Sequence, residues 1–139
     1  MTDFKYQDGI YDSLLDRATQ LPEGQGRMRY ESGDVYDGLW ANGARQGHGR
    51  KVNADGSRYE GNYTAGLPSG QGTLWFDDLH YYRGEFRQAQ FHGLGAKFAL
   101  DGSLYEGEWR DGVPHGVGSC LYADASRYAG AWRDGQPGG

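Results

Sequence analysis

Histidine is the first residue type in this chain that could support metal chemistry. His92 and His115 lie 23 residues apart, each directly before a Gly-x-Gly sequence. If the chain is built of stacked units, such positions come within ~10 Å of each other, which would suit a shared metal ion. Gln46 and Ser69 fill the same slot elsewhere, and no carboxylate recurs beside it. We therefore favour surface loop histidines and predict no metal site.

Four aspartates follow the same spacing and could supply oxygen ligands. They are Asp55, Asp78, Asp101 and Asp124. An aspartate readily hydrogen-bonds its own local backbone in a turn, so turn formation is the plainer interpretation. A ladder of calcium ions is the alternative.

The patterns that usually mark catalysis are incomplete in this chain. The Gly-x-Gly copies lack the lysine and the Ser or Thr of a phosphate-binding loop. Cys120 has no histidine at a characteristic spacing, and it occupies a position held by Met28 and Leu74 in other units. We expect this thiol to be buried. We predict a protein that is not an enzyme and that needs no cofactor.

Length, charge and cysteine content exclude several classes of protein. The chain has 139 residues, enough for one domain. Its net charge is −5 and it has no long basic run, which argues against nucleic-acid binding and makes membrane contact weak or indirect. A single cysteine and the lack of an apolar leader predict a cytoplasmic protein.

Tyrosine recurs at a strict spacing of 23 residues, and this period must reflect the architecture. A glycine follows two residues after each tyrosine, and another ring follows two residues later. The tyrosines are Tyr36, Tyr59, Tyr82, Tyr105 and Tyr128, and the later rings are Trp40, Tyr63, Phe86, Trp109 and Trp132. A Gly-x-Gly sequence then follows in register, and four units end on an aspartate, which glycine follows in Asp55-Gly56 and Asp101-Gly102.

The combined pattern resembles the MORN repeat (membrane occupation and recognition nexus). One full copy reads Tyr105-Glu-Gly107-Glu-Trp109-Arg-Asp-Gly112-Val-Pro-His-Gly116-Val-Gly118. The resemblance covers a leading half repeat at 21–35, whole repeats at 36–58, 59–81, 82–104 and 105–127, and a trailing half repeat at 128–135. It implies an elongated antiparallel sheet with one hairpin per repeat, used as a scaffold or an interaction surface.

The residues themselves also predict an all-β fold. Tyr36, Gly38 and Trp40 are spaced by two, so they share one face of a strand. Recurring glycines disfavour helix. We expect a single-layer β-meander of about ten strands, closed by tight Asp-Gly turns. A three-residue loop at 55–57 would place Tyr59 opposite Asn53, with Gly61 opposite Lys51 and Tyr63 opposite Gly49.

Two terminal segments flank the predicted sheet. Residues 1–20 form a predicted capping segment, in which Asp12 or Ser13 could begin a short helix that carries Leu14 and Leu15. Residues 136–139 form a predicted flexible tail. The strand Tyr128 to Arg133 then has no successor, so we expect an unpaired edge that could join two copies of the chain.

The rings predict an aromatic groove that binds a partner. Its residues are Tyr36, Trp40, Tyr59, Tyr63, Tyr82, Phe86, Tyr105, Trp109, Tyr128 and Trp132. For each ring, internal packing and partner contact are both open. Trp75 is expected on the opposite, mostly polar face.

We predict a non-enzymatic protein-interaction scaffold that binds a helix or an extended segment of another protein. The alternative is a peripheral membrane or phosphoinositide-binding module. The family resemblance implies a place in a cytoskeletal, axonemal (ciliary) or membrane-adjacent assembly.

Overall fold

The computed structural model describes residues 4–6 and 9–11 by their backbone and residues 21–138 in full. The strands of these segments are β1 Phe4–Tyr6, β2 Gly9–Tyr11, β3 Gly24–Tyr30, β4 Val35–Ala41, β5 Ala44–Val52, β6 Arg58–Thr64, β7 Leu67–Asp77, β8 His80–Arg87, β9 Gln90–Phe98, β10 Leu104–Arg110, β11 Val113–Leu121, β12 Arg127–Arg133 and β13 Gln136–Pro137. They form one antiparallel sheet in sequence order. The all-β meander is confirmed, and β3 to β12 are its ten long strands.

Side chains alternate between two faces along each strand. In β6 every second residue is buried, which places Tyr59, Gly61 and Tyr63 on one side and Glu60 and Asn62 on the other. We call the side that carries the repeat tyrosines the ring face. The other side is the opposite face. Within the described residues the sheet is the only layer, so the ring face has to cover its own apolar surface.

Two kinds of turn alternate along the meander. The Asp turns span five residues, as at 53–57, where Asp55 Oδ1 accepts a hydrogen bond from Ser57 N at 2.9 Å. The other turns have two central residues with positive φ, such as Asn42 at 51° and Gly43 at 84°. Both values lie in the left-handed region, which matches the tight hairpin turns whose twist suits the flanking strands.

The predicted register across the Asp turn is wrong by two residues. Tyr59 pairs with Lys51, Gly61 with Gly49 and Tyr63 with Gly47. The cause is the turn, since the backbone N–H of Asn53 donates to the Ser57 carbonyl and the loop therefore closes over five residues instead of three. Glycine consequently faces glycine in every hairpin of this kind.

The predicted boundaries at both ends need correction. The 1–20 segment contains β1 and β2, and β2 pairs with β3, so part of the predicted cap extends the sheet. Residues 12–18, where a helix was predicted, lie outside the described residues. The tail contains β13, which pairs with β12 at Arg133 and Gln136. The edge of β12 is therefore partly covered, because Asp134 and Gly135 form another two-residue turn with positive φ.

Candidate functional site

The ten predicted groove residues all lie on the ring face. Nine of them are buried and Tyr128 is half-buried. Their rings touch edge to face in a continuous row. The centroid distances are 5.1 Å for Tyr36 and Trp40 within one strand and 5.2 Å for Tyr36 and Tyr63 on alternate strands. The ten rings therefore form the core of the sheet, and the surface open to a partner is their immediate surroundings.

Glycines explain how a single layer buries tyrosine. The rings of the first four repeat tyrosines, Tyr36 to Tyr105, each lie over a glycine of the following strand. A β-carbon at Gly49 would lie 2.2 Å from the Tyr36 hydroxyl oxygen, and one at Gly72 would lie 2.3 Å from that of Tyr59. The glycines leave a shallow depression that fits a flat ring, which is why the two residue types share one period.

Each repeat tyrosine donates a hydrogen bond that holds the ring in place. The Tyr36 hydroxyl donates to the Leu39 carbonyl at 2.8 Å, and the equivalent bond of Tyr105 to Glu108 is 2.7 Å. The acceptor lies where the pairing of β4 with β5, and of β10 with β11, shifts at a bulge. Burial raises the pKa of Tyr36 and of Tyr105 to about 12, so both stay neutral and can donate.

Cations lie between the rings on the accessible part of the ring face. The Arg45 guanidinium lies 5.4 Å from the centre of the Tyr63 ring, and the Lys97 ammonium lies 5.4 Å from that of Phe76. The Lys51 ammonium lies 3.8 Å from a carboxylate oxygen of Asp34. Among the strand positions of this face in β3 to β12, the only carboxylate is that of Asp77 at the end of β7, which pairs with His80 and accepts a hydrogen bond from Leu79 N. The ring face is thus apolar and cationic in a chain of net charge −5.

A cavity of about 250 Å³ opens on the ring face. Arg45 and Lys51 line it together with Pro68, Leu74 and Phe86. It therefore combines apolar walls with two positive charges, a composition suited to a side chain or chain end that carries a carboxylate.

The opposite face carries an apolar row that the sequence analysis missed. The row follows the register from Val35 through Val52, Arg58, Trp75, Tyr81, Phe98 and Leu104 to Leu121. We call this row, without Arg58, the apolar stripe. Trp75 lies on the opposite face as the alternation predicts. It is half-buried, with the Arg58 guanidinium 4.8 Å from its ring centre.

A signal for this stripe was present in the sequence. Positions 52, 75, 98 and 121 are spaced by 23 residues, as are 35, 58, 81, 104 and 127. All but two of these nine positions are apolar or aromatic. Stacking of Tyr81 on Phe98 at 4.8 Å shows that the stripe makes its own ring contacts.

The residues considered for metal chemistry are dispersed in the structure. In the described part of the chain, no group of three His, Cys, Asp or Glu residues could hold a metal ion. Asp55, Asp101 and Asp124 each accept hydrogen bonds from the serine two residues later, which lowers their pKa and confirms the turn interpretation. At the remaining turn Asp77 takes this role and bonds Leu79 N at 2.9 Å.

Cys120 is buried on the ring face, as its position in the period predicts. Burial raises the pKa of its thiol, which opposes thiolate formation.

Comparison with known proteins identifies the repeat family. The family model described as MORN repeat matches residues 21–35, 36–58, 59–80, 82–96, 105–127 and 128–139. No curated protein sequence matches the chain. In the described residues, no helix has the length and apolar character needed to cross a membrane. Repeats of this type are generally modules for interaction with proteins or membranes, in scaffolds that are generally not enzymes. The chain belongs to the MORN-repeat family.

Proposed function

We propose that this protein is a non-enzymatic interaction scaffold that binds a helix or an extended segment of another protein along its ring face. The main support is that the ring face combines accessible apolar surface with Arg45, Lys51 and Lys97, whereas its strand positions in β3 to β12 hold a single carboxylate, that of Asp77 beside a turn. Such a surface attracts an acidic apolar segment even though the whole chain is acidic.

The ten rings contribute to this scaffold mainly by shaping the surface around them. Since nine of them are covered by their neighbours, the partner contacts the less buried side chains between them. These include Leu74, Phe76 and Phe91. The recurring rings place equivalent positions, such as 51, 74 and 97, one repeat or ~10 Å apart, so an elongated partner can meet such positions along the sheet.

The chemistry of the partner follows from the charges. We expect aromatic or aliphatic residues, which fill the cavity beside Leu74, and nearby Asp or Glu residues, which pair with Lys51 and Lys97. A cellular setting in a cytoskeletal, axonemal or membrane-adjacent assembly is part of the same proposal.

The test compares three baits in a pull-down followed by mass spectrometry. The baits are the wild type, the ring-face variant Lys51→Glu with Lys97→Glu, and the matched opposite-face variant Arg50→Glu with Arg83→Glu. We expect a set of proteins that the wild type and the opposite-face variant capture and that the ring-face variant loses. Capture of the same proteins by all three baits, or loss only with the opposite-face variant, would contradict the proposal. Circular dichroism of each bait controls for folding.

A second candidate function is binding of anionic lipid headgroups. Arg45 and Lys51 form a local positive site that lines one cavity with apolar walls, and Lys97 lies four strands away in the same row of the sheet. We expect weak binding to anionic liposomes at physiological salt, because one or two lysines contribute only about 1 kcal/mol each. Sedimentation of most of the protein with phosphoinositide-containing liposomes, abolished by Lys51→Glu with Lys97→Glu, would favour this second function.

A further inference from the structure

The apolar stripe on the opposite face crosses the centre of the sheet. It spans β4 to β11 with one member on each strand except β6, where Arg58 fills the position, and its members are half-buried or exposed. Phe98 is 36% exposed and Val52 is 38% exposed. Leu94 lies on the same face two rows away and is 65% exposed. An apolar row of this length, interrupted only by Arg58 and lying beside further exposed leucine and valine, is typical of an interaction surface.

We infer that this face binds a second copy of the same chain, with the two sheets packed face to face. The inferred two-fold axis runs parallel to the strands and lies between β7 and β8, the middle of the ten long strands. Rotation about this axis places β7 on β8, β6 on β9 and β5 on β10 of the second copy. Sheets that pack in this way lie ~10 Å apart, with their strands aligned to within ~30°.

The stripe is complementary to itself under this rotation. Trp75 faces Tyr81 of the second copy across the axis, and each contact occurs twice. Val52 faces Leu104 of the second copy. Arg58 faces Phe98, a cation opposite an aromatic ring. The apolar residues of the stripe therefore meet apolar or aromatic partners at every position except Phe98, which meets the Arg58 guanidinium.

The charged residues of the face are complementary as well. Arg50 faces Glu106 of the second copy, and His48 faces Glu108. From β4 to β11, the rotation brings no two charges of the same sign opposite each other. Like charges meet only where Arg29 in β3 faces Arg127 in β12, at the two ends, where twisted sheets diverge.

Leu94 also finds a place in this arrangement. It faces Asn62 of the second copy, which lines a cavity of about 520 Å³ together with Thr73 and Trp75. A leucine side chain fits this space, and its insertion would remove its exposed surface from water.

The available area is adequate for a stable dimer. The six central strands, at ~4.8 Å spacing and seven residues of ~3.3 Å each, offer roughly 650 Å² per copy. If all ten long strands took part, the contact area would be ~1,100 Å² per copy. A standard interface buries ~800 Å² per partner.

The test is the association state of the full chain, measured by sedimentation equilibrium for the wild type and two matched variants. Leu94→Lys changes a leucine on the inferred interface. Leu100→Lys changes a leucine of equal exposure, 65%, in an Asp turn outside it. We expect a wild-type dimer whose dissociation constant rises ~30-fold or more in Leu94→Lys, since each dimer loses two buried leucines, and changes less than ~3-fold in Leu100→Lys. Circular dichroism verifies that each variant is folded.

A charge exchange tests the register independently. Arg50→Glu and Glu106→Arg should each weaken the dimer ~10-fold, and the double variant should return it to within ~3-fold of the wild type. A wild type that stays monomeric at the highest soluble concentration would overturn the inference. So would a dimer that resists both Leu94→Lys and Arg50→Glu. These outcomes leave the ring-face function untouched, because no residue of this interface lies on that face.

Discussion

Substitution of Gly49 by alanine tests the packing of tyrosine on glycine that shapes the sheet. The new β-carbon would lie 2.2 Å from the Tyr36 hydroxyl oxygen and 2.5 Å from two ring carbons. Tyr36 is fully buried and its ring is held between Trp40 and Tyr63, so it cannot move aside without breaking both contacts. The ring must therefore leave its place over the glycine.

The cost follows from the contacts that are lost. The hydrogen bond from Tyr36 to the Leu39 carbonyl contributes ~1 kcal/mol, and two edge-to-face ring contacts contribute ~0.5 to 1.5 kcal/mol each. We expect Gly49→Ala to lower the free energy of unfolding by about 3 kcal/mol. Urea unfolding followed by circular dichroism and tryptophan fluorescence measures this change.

Gly66→Ala is the matched control. A β-carbon at Gly66 meets nothing within 4 Å, and Ala89 already occupies the equivalent turn position with φ 68°. Its expected cost is ~1 kcal/mol, from the left-handed backbone alone. If Gly49→Ala were no more destabilising than Gly66→Ala, the close packing of tyrosine on glycine would be refuted as the basis of the fold.

Three further predictions concern pH, the thiol and the sheet edge. Because burial raises the pKa of Tyr36 and Tyr105 to about 12, against ~10 in an unfolded chain, stability should be unaffected below pH 10 and fall as pH rises from 10 through 12. The absorbance at 295 nm of the wild type minus that of Tyr105→Phe isolates the tyrosinate of Tyr105, which should appear together with loss of the circular dichroism signal; a difference that appears near pH 10 with the fold intact would contradict this. Cys120, buried with a raised thiol pKa, should react with a thiol reagent much more slowly in the folded protein than in urea, and equal rates would show that it is accessible. Ala131→Pro should abolish any association at the β12 edge, where β13 pairs only with Trp132 and Arg133, and should leave the first three repeats folded; an oligomer larger than a dimer that persists in this variant would exclude the edge.

The repeat period was sufficient to predict the sheet and the ring face. Tyrosine, glycine and a second ring at alternate positions can share one face only in a strand, so element type and face follow from spacing. The burial of Tyr36 and Tyr82 follows too, because recurring glycine provides room for a ring. The same pattern of residues recurs in each repeat, so every repeat supports the prediction made for the others.

Local turn chemistry explains why the register was missed. The predicted loop comprises three residues, 55–57. The hydrogen bonds that Asp55 accepts from Ser57 favour a wider turn. A local turn signal was also overlooked in the N-terminal segment. The dipeptide Asp8-Gly9 is typical of hairpin turns, but the prediction for this segment relied on Leu14 and Leu15, which favour a helix. Sequence patterns locate turns more reliably than they fix loop length.

The apolar stripe was missed because most of the opposite face is polar. Glu60, Asn62 and Glu106 suggest a solvated surface when each strand is considered alone. Only the register brings Trp75, Tyr81 and Phe98 into one row, since they come from three different strands. A surface whose residues come from several strands can be predicted only with the correct strand register, and the register predicted from the sequence was wrong by two residues.

The proposed binding of an acidic apolar segment to the ring face can be tested by a double-mutant cycle. Once a captured segment is known, its affinity is measured for the wild type and for Lys51→Glu with Lys97→Glu, each with the native segment and with its Asp and Glu residues changed to Lys. Contact between these charges predicts a coupling energy of at least ~1 kcal/mol, with the reversed pair regaining much of the lost affinity. Strictly additive losses would contradict this proposal and place the partner elsewhere on the protein.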